Sequence, residues 1–293
     1  MASSRTTACL LLLAAALVCS SVGAAETMPP TAKGLSLGYY DKRCPQAESI
    51  VFNFLQEAIA KDVGLAAALL RLHVHDCFVH GCDASILLDV DGATPADEKS
   101  KEEEPHRHSL TPRPSAFKAI DDLRDLLDAA CGGTIVSCSD IVTLAARDSV
   151  RLAGGPSYPV PLGRRDGLNS ASEKAVLDAL PPPSSNITEL LSFLGKLNLD
   201  ENDLVVLSNV GIAHCPLFGN RLYPKQDEPT MNKWFGGQLK LVRLKNDADN
   251  SAAPEQDLYS DARTKPLVTK FAGDQSAFFE QFVISMWKMG AEN

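Results

Sequence analysis

One fifteen-residue stretch sets the terms for this chain: Arg71-Leu72-His73-Val74-His75-Asp76-Cys77-Phe78-Val79-His80-Gly81-Cys82-Asp83-Ala84-Ser85. It continues an apolar, helix-prone run over 64–70, so Arg71 and His75 fall on a helix at i and i+4 and share one face. A histidine takes up and returns a proton near neutral pH. An arginine beside it keeps its charge and stabilises negative charge as a bond breaks. Asp76, Asp83 and Ser85 then offer hard oxygen ligands within ten residues, and Gly81 lets the backbone turn so that carbonyls join them. That oxygen-rich set suits Ca²⁺.

Two plainer readings compete. The Arg71/His75 pair can be a surface ion-pairing face. Alternatively, His73, His75, Cys77, His80 and Cys82 can be read as a zinc site. On a helix, however, His73 and His75 point different ways, and the Cys/His spacing matches no usual zinc pattern. A secreted context favours a disulfide over thiolates.

The head of the chain supplies that context. Residues 1–25 carry Arg5, an apolar run over 8–18 and then small residues ending in Ala24-Ala25, the pattern of a signal peptide cleaved near Ala25. No other run is long and apolar enough to span a bilayer. Residues 26–293 are expected to form the working domain, with 45% hydrophobic content across the chain to build a core. A net charge of −9 disfavours nucleic acid and acidic membrane surfaces as partners. The mature chain keeps Cys44, Cys77, Cys82, Cys131, Cys138 and Cys215, an even set whose pairing spacing alone does not choose.

The rest reads as mainly α. Cys44-Pro45 opens a helix with apolar Ile50, Val51, Phe54, Leu55, Ala58 and Ile59. Further helices are predicted over 115–131, from Ser137 to a stop at Gly154-Gly155-Pro156, and over 188–197, 202–208 and 266–287. Residues 89–114 form a polar loop, and 158–166 are irregular because of their prolines and glycine. Asn186-Ile187-Thr188 is a glycosylation acceptor.

The fifteen-residue stretch resembles very closely the distal haem side of the secreted plant peroxidases of class III. Val136-Ser137-Cys138-Ser139-Asp140 matches a second signature of that family. The resemblance implies two helical halves around a haem cleft, with haem b and Ca²⁺ as cofactors. His75 becomes the acid–base group and Arg71 the transition-state stabiliser. Asp76, Val79, Gly81, Asp83 and Ser85 become calcium ligands, Val79 and Gly81 through their carbonyls, and Glu98 matches a position linked to that calcium. Pro161 becomes a contact for an aromatic substrate, where the plain reading is an ordinary loop residue. Cys44–Cys131 and Cys77–Cys82 become disulfides. The implied activity is oxidation of small phenolic donors by hydrogen peroxide, in a monomer.

The second half departs from the family pattern. After Asp203-Leu204-Val205-Val206-Leu207-Ser208 the family carries Gly-Gly/Ala-His-Thr, whose histidine binds the iron. Here Asn209 alone stands before Val210-Gly211. His214 lies three residues past the expected position, on nearly the same helix face but about 4.5 Å along the axis. It is either a structural histidine or, after a slide of the helix, a substitute haem ligand. The proximal calcium segment is absent between Asn250 and Pro254, and Glu255 replaces a supporting aspartate. The family partners of Cys138 and Cys215 are missing, as is the asparagine that supports the catalytic histidine, with His108 or Ser109 nearest its place. These gaps leave a rival reading, a catalytically impaired or non-enzymatic calcium-binding remnant of the fold, and a third, an incomplete gene model.

Overall fold

In the computed structural model, residues 28–88, 113–181, 185–208 and 258–291 are described. By contacts the chain divides into Met1–Pro30, of which only the last three residues are described, and Thr31–Asn293. The helices of the second unit are α1 (Ala47–Lys61), α2 (Gly64–His80), α3 (Pro114–Cys131), α4 (Cys138–Leu152), α5 (Glu173–Ala179), α6 (Ile187–Gly195), α7 (Glu201–Leu207), α8 (Lys265–Gly273) and α9 (Gln275–Gly290). A short 3₁₀ turn, Ser85–Leu87, follows α2. Among the described residues the only β pairing is a single antiparallel bridge between Ser36 and Leu162.

Apolar spacing explains the first four helices. α1 buries Ala47, Val51, Leu55 and Ile59, one residue per turn. α3 starts with Pro114 in its first turn, where a missing N–H costs nothing, and buries Ala116, Ala119, Ile120, Leu123 and Leu127. It stops at Gly132, whose φ of 77° suits a residue without Cβ. α4 is capped by Ser137, whose hydroxyl accepts from the Asp140 N–H at 3.1 Å. Every residue from Ser139 to Val150 is buried, so α4 is the central helix, packed chiefly on α2 and then on α1.

Two cores result. The first joins α1–α4 to Tyr158, Val160 and Leu162 and to Phe282, Met286 and Met289 of α9. The second gathers Ile187, Leu194, Leu199, Leu204, Val205, Val206, Leu258 and Phe271. Phe78, Leu207 and Phe278 pack against both. Each fully buried large apolar side chain contributes about 1.5–3 kcal/mol.

Cross-links fasten the first half. Cys44 at the head of α1 is bonded to Cys131 at the end of α3, and Cys77 to Cys82 across the end of α2. The first bond closes a loop of 87 residues, worth on the order of 4 kcal/mol through restriction of the unfolded chain. Cys138 carries no disulfide, and its sulfur lies 2.9 Å from Arg124 Nη2. Cys215 lies outside the described residues.

Two expectations are corrected. Residues 266–287 do not form one helix. The backbone of Asp274 is extended (φ −139°, ψ 96°), and its carboxylate caps α9 by accepting from Ala277 N–H at 3.0 Å. The aspartate thus ends one helix and starts the next. α5, absent from the sequence-based expectation, is a short helix started by Ser172, whose hydroxyl accepts from Ala175 N–H.

One ion pair holds the ends of the first half together. Arg164 Nη1 lies 3.0 Å from Asp140 Oδ1, with the two side chains 1% and 0% exposed. Asp140 also accepts from Tyr40 Oη and Gly163 N–H, each at 2.7 Å. Arg164 donates to the carbonyls of Pro161 and Gly290. Arg164→Leu would strand the carboxylate in the core and is expected to cost about 3–5 kcal/mol. Urea unfolding of parent and variant measures this, and an unchanged midpoint would refute the role given to the pair.

Candidate active site and calcium loop

α2 presents two faces. Leu65, Leu69, Leu72, His73, Asp76 and Cys77 are buried at helical spacing. Arg71 and His75 lie one turn apart on a different face, Arg71 half-buried and His75 8% exposed. Burial, and then the neighbouring charge of Arg71, push the His75 imidazole down to about 4. Burial also lowers the pKa of Arg71, though a guanidinium remains charged at neutral pH. The pair is therefore a neutral base beside a fixed positive charge. His108 and Ser109, nearest the place of the supporting residue, lie outside the described residues.

His73 faces the other way and is 1% exposed. Burial, and then Arg164, push it down to about 3. Its ligating nitrogen and the sulfurs of Cys77 and Cys82 lie within 4.8 Å of one another. The two sulfurs are bonded to each other, so neither is the thiolate that zinc requires.

The candidate calcium loop begins where α2 ends. Gly81 takes φ 82° and ψ 174°, a conformation open to glycine, and turns the chain back. Asp83 N–H donates to the Gly81 carbonyl at 2.8 Å and Ser85 N–H to Asp83 Oδ1 at 2.9 Å. Ala84 N–H donates to Asp76 Oδ2 at 3.0 Å. Gly167 N–H holds the Asp83 carbonyl at 2.7 Å, and a Cβ on Gly167 would lie 2.4 Å from Asp83 Oδ2. A larger residue there would push the Asp83 carboxylate aside.

Asp76 is 1% exposed, and its Oδ1 has no hydrogen-bond partner among the described residues. Burial pushes its carboxyl up to about 7, against the pull of the Ala84 N–H. An orphaned buried carboxylate oxygen, beside Asp83 and the buried Ser85, is the donor set that a hard divalent cation satisfies. The residues fit calcium. Val79 and Gly81 lie half-buried along the same turn, and Glu98 is outside the described residues.

Pro161 is buried, its carbonyl accepts from Arg164 at 2.7 Å, and it lines a pocket with His73, Tyr158, Met286 and Trp287. The bridge between Ser36 and Leu162 and the Asp140 anchor at Gly163 fold this segment inward. His214 lies outside the described residues.

Sequence reasoning did not single out several positioning residues. Tyr40, Asp140, Arg164 and Gly167 hold α4, the turn after α2 and the C-terminal helix together. Asp203, 0% exposed, accepts from Ser285 Oγ at 2.6 Å and Lys288 Nζ at 2.9 Å, tying α7 to α9. An aspartate amid an apolar helix was the available signal.

Comparison with known proteins places this geometry. A family model described as Peroxidase matches residues 51–257. The chain is 49% identical to "Cationic peroxidase SPC4" of Sorghum bicolor and 44% identical to "Peroxidase 12" of Arabidopsis thaliana, each match covering 89% of this chain and 78% of the relative. It is 39% identical to "Peroxidase 64" of Arabidopsis thaliana, over 88% of this chain and 89% of the relative. The chain belongs to the plant haem peroxidases of class III, and peroxidase is its enzyme class.

Two outcomes are expected. Asp83→Ala removes a charged oxygen from the loop and should weaken calcium binding in a calorimetric titration; an unchanged isotherm would count against the ligand set. His73 is held neutral in the fold, with a value near 3 against an ordinary 6.5. The unfolded chain therefore binds more protons between those values, and stability is lost as pH falls from 6.5 towards 3. His73→Leu should flatten that part of the stability–pH curve, and a variant curve parallel to the parent's would overturn this account.

Proposed function

We propose that this chain acts as a secreted peroxidase that uses hydrogen peroxide to oxidise small phenolic donors, with turnover limited by how firmly haem is held. The observation that carries this reading is the Arg71–His75 face. The neutral imidazole of His75 accepts the proton of one peroxide oxygen and returns it to the other, so the leaving oxygen departs as water. The fixed charge of Arg71 stabilises the negative charge that builds on that oxygen as the O–O bond breaks. Haem, when bound, supplies the two electrons for this reduction and recovers them from two donor molecules.

Asp76, Asp83 and Ser85, with the carbonyls of Val79 and Gly81, would hold calcium just beyond the end of α2. The ion would stiffen the turn that follows His75. The apolar head over 1–25 and the two disulfides support an extracellular protein. Asn186 is exposed at the start of α6, with its Oδ1 accepting from Glu189 N–H. A glycan on its amide nitrogen would leave that cap intact. A monomer is the assembly proposed.

The proximal side limits activity. A histidine would have to hold the haem iron, and the family's Gly-x-His-Thr element that supplies it is replaced by Asn209. His214 is the candidate substitute. The same sequence feature supports the second reading, a calcium-binding member with little turnover.

The expected result is a weak Soret band and slow guaiacol oxidation when the protein is refolded with haemin and Ca²⁺. Replacing Asn209 by Gly-Gly-His-Thr should raise haem occupancy and rate together. Stoichiometric haem with brisk turnover in the parent would refute the limitation, and His214→Ala would then report whether that histidine binds the iron. His75→Ala in the reinserted protein should lower the rate about 10²- to 10⁴-fold. No loss there would remove the acid–base role.

A further inference from the structure

His73 sits on the core face of α2, one turn before Cys77, and each is 1% exposed. Among the described residues its ring nitrogens have one partner, the Cys77 sulfur, 3.5 Å from Nδ1 and 3.9 Å from Nε2. That sulfur is bonded to Cys82, so it has no hydrogen to give and accepts only weakly. Buried polar groups are ordinarily satisfied, and this imidazole is not. It is held neutral, so a nitrogen lone pair is available at neutral pH.

The two sulfurs become ligands only when they are parted. The ligating nitrogen of His73 and both sulfurs lie within 4.8 Å of one another, and all three residues are buried. Around a tetrahedral zinc ion, with Zn–N and Zn–S bonds of about 2.0 and 2.3 Å, neighbouring ligand atoms stand about 3.5 Å apart. The His73–Cys77 separation already has that value. The Gly81 turn keeps the Cα atoms of Cys77 and Cys82 4.0 Å apart, so two released thiols would stay side by side. Two thiolates neutralise a divalent ion, and a neutral cluster is what a buried site accepts. Nitrogen and sulfur donors suit zinc rather than calcium.

We infer that, once the Cys77–Cys82 disulfide is reduced, His73, Cys77 and Cys82 bind one zinc ion. The reductant is a dithiol. It gives two electrons and two protons to the S–S bond, becomes a disulfide itself and leaves two cysteine thiols. Zinc then replaces the two thiol protons, which pass to solvent, and takes the His73 lone pair. The end of α2 thereby has two alternative fastenings, a disulfide under oxidising conditions and a metal under reducing ones. The site uses the core face of the helix and leaves Arg71 and His75 free.

Cobalt(II) tests this in the full chain, because tetrahedral cobalt bound to thiolate gives visible bands and a sulfur-to-metal charge-transfer band. The oxidised protein, with calcium present, should show neither. After reduction with a phosphine, which adds no competing thiol, one equivalent of cobalt should produce both, and zinc should displace it. His73→Leu should weaken cobalt binding by more than about 10-fold, the loss that even a supporting group causes. Cys138→Ser should leave it unchanged. If His73→Leu does not fold, as judged by circular dichroism, His73→Cys restores a ligand and should keep the bands; their loss there would overturn the proposal. Absence of the bands in the reduced parent would overturn it, as would their presence in the oxidised protein. Bands undiminished in His73→Leu, or lost in Cys138→Ser, would assign the metal to other cysteines and overturn it too.

Discussion

Much of the described structure depends on the buried pair Asp140–Arg164. Bringing two charges into the core costs several kcal/mol per ion before their attraction and hydrogen bonds offset it. The offset is unusually complete here. Asp140 takes Tyr40 Oη, Gly163 N–H and the guanidinium, while Arg164 takes two carbonyls besides. The partners come from the N-terminal segment, the central helix, the irregular 158–166 stretch and the end of α9. Each contributes a group whose burial would be unfavourable alone, so the four segments are stable together or not at all.

The pair also reaches the functional helix electrostatically. The charge of Arg164 adds to burial in keeping His73 neutral, and it favours ionised Asp76 against the desolvation that raises its pKa. Arg164 thereby conditions both the core face of α2 and the carboxylate of Asp76 beside the turn that follows. Electrostatics acts over this range because the intervening medium is packed protein rather than water.

α2 divides its labour by helical geometry. Residues at 69, 72, 73, 76 and 77 enter the core, which fixes the rotation of the helix. That rotation then determines where Arg71 and His75 point. The disulfide Cys77–Cys82 and the Gly81 turn hold the end of the helix against the oxygen-rich turn, so Arg71 and His75 are positioned from below by packing and from the C-terminal end by that turn. Rigid support of this kind is what a proton transfer between fixed atoms demands.

Local pattern carried far in this chain. The spacing of Val51, Leu55 and Ile59, the Ser137 cap and the Gly132 stop specify helices within a few residues, because each depends on neighbours one turn away. The fifteen-residue stretch likewise specified that Arg71 and His75 share a helix face and that an oxygen-rich turn follows. The disulfide partners came from family resemblance, since spacing left the choice open. What the sequence did not determine was long-range. That Pro161 turns inward beside His73 depends on Asp140 and Ser36, distant in the chain. That Arg164 and Trp287 meet at one pocket depends on how α9 lands on α4. The break at Asp274 reflects a choice between continuing one helix and capping the next. Periodicity records which residues seek the core, but only tertiary packing decides which partner each finds there.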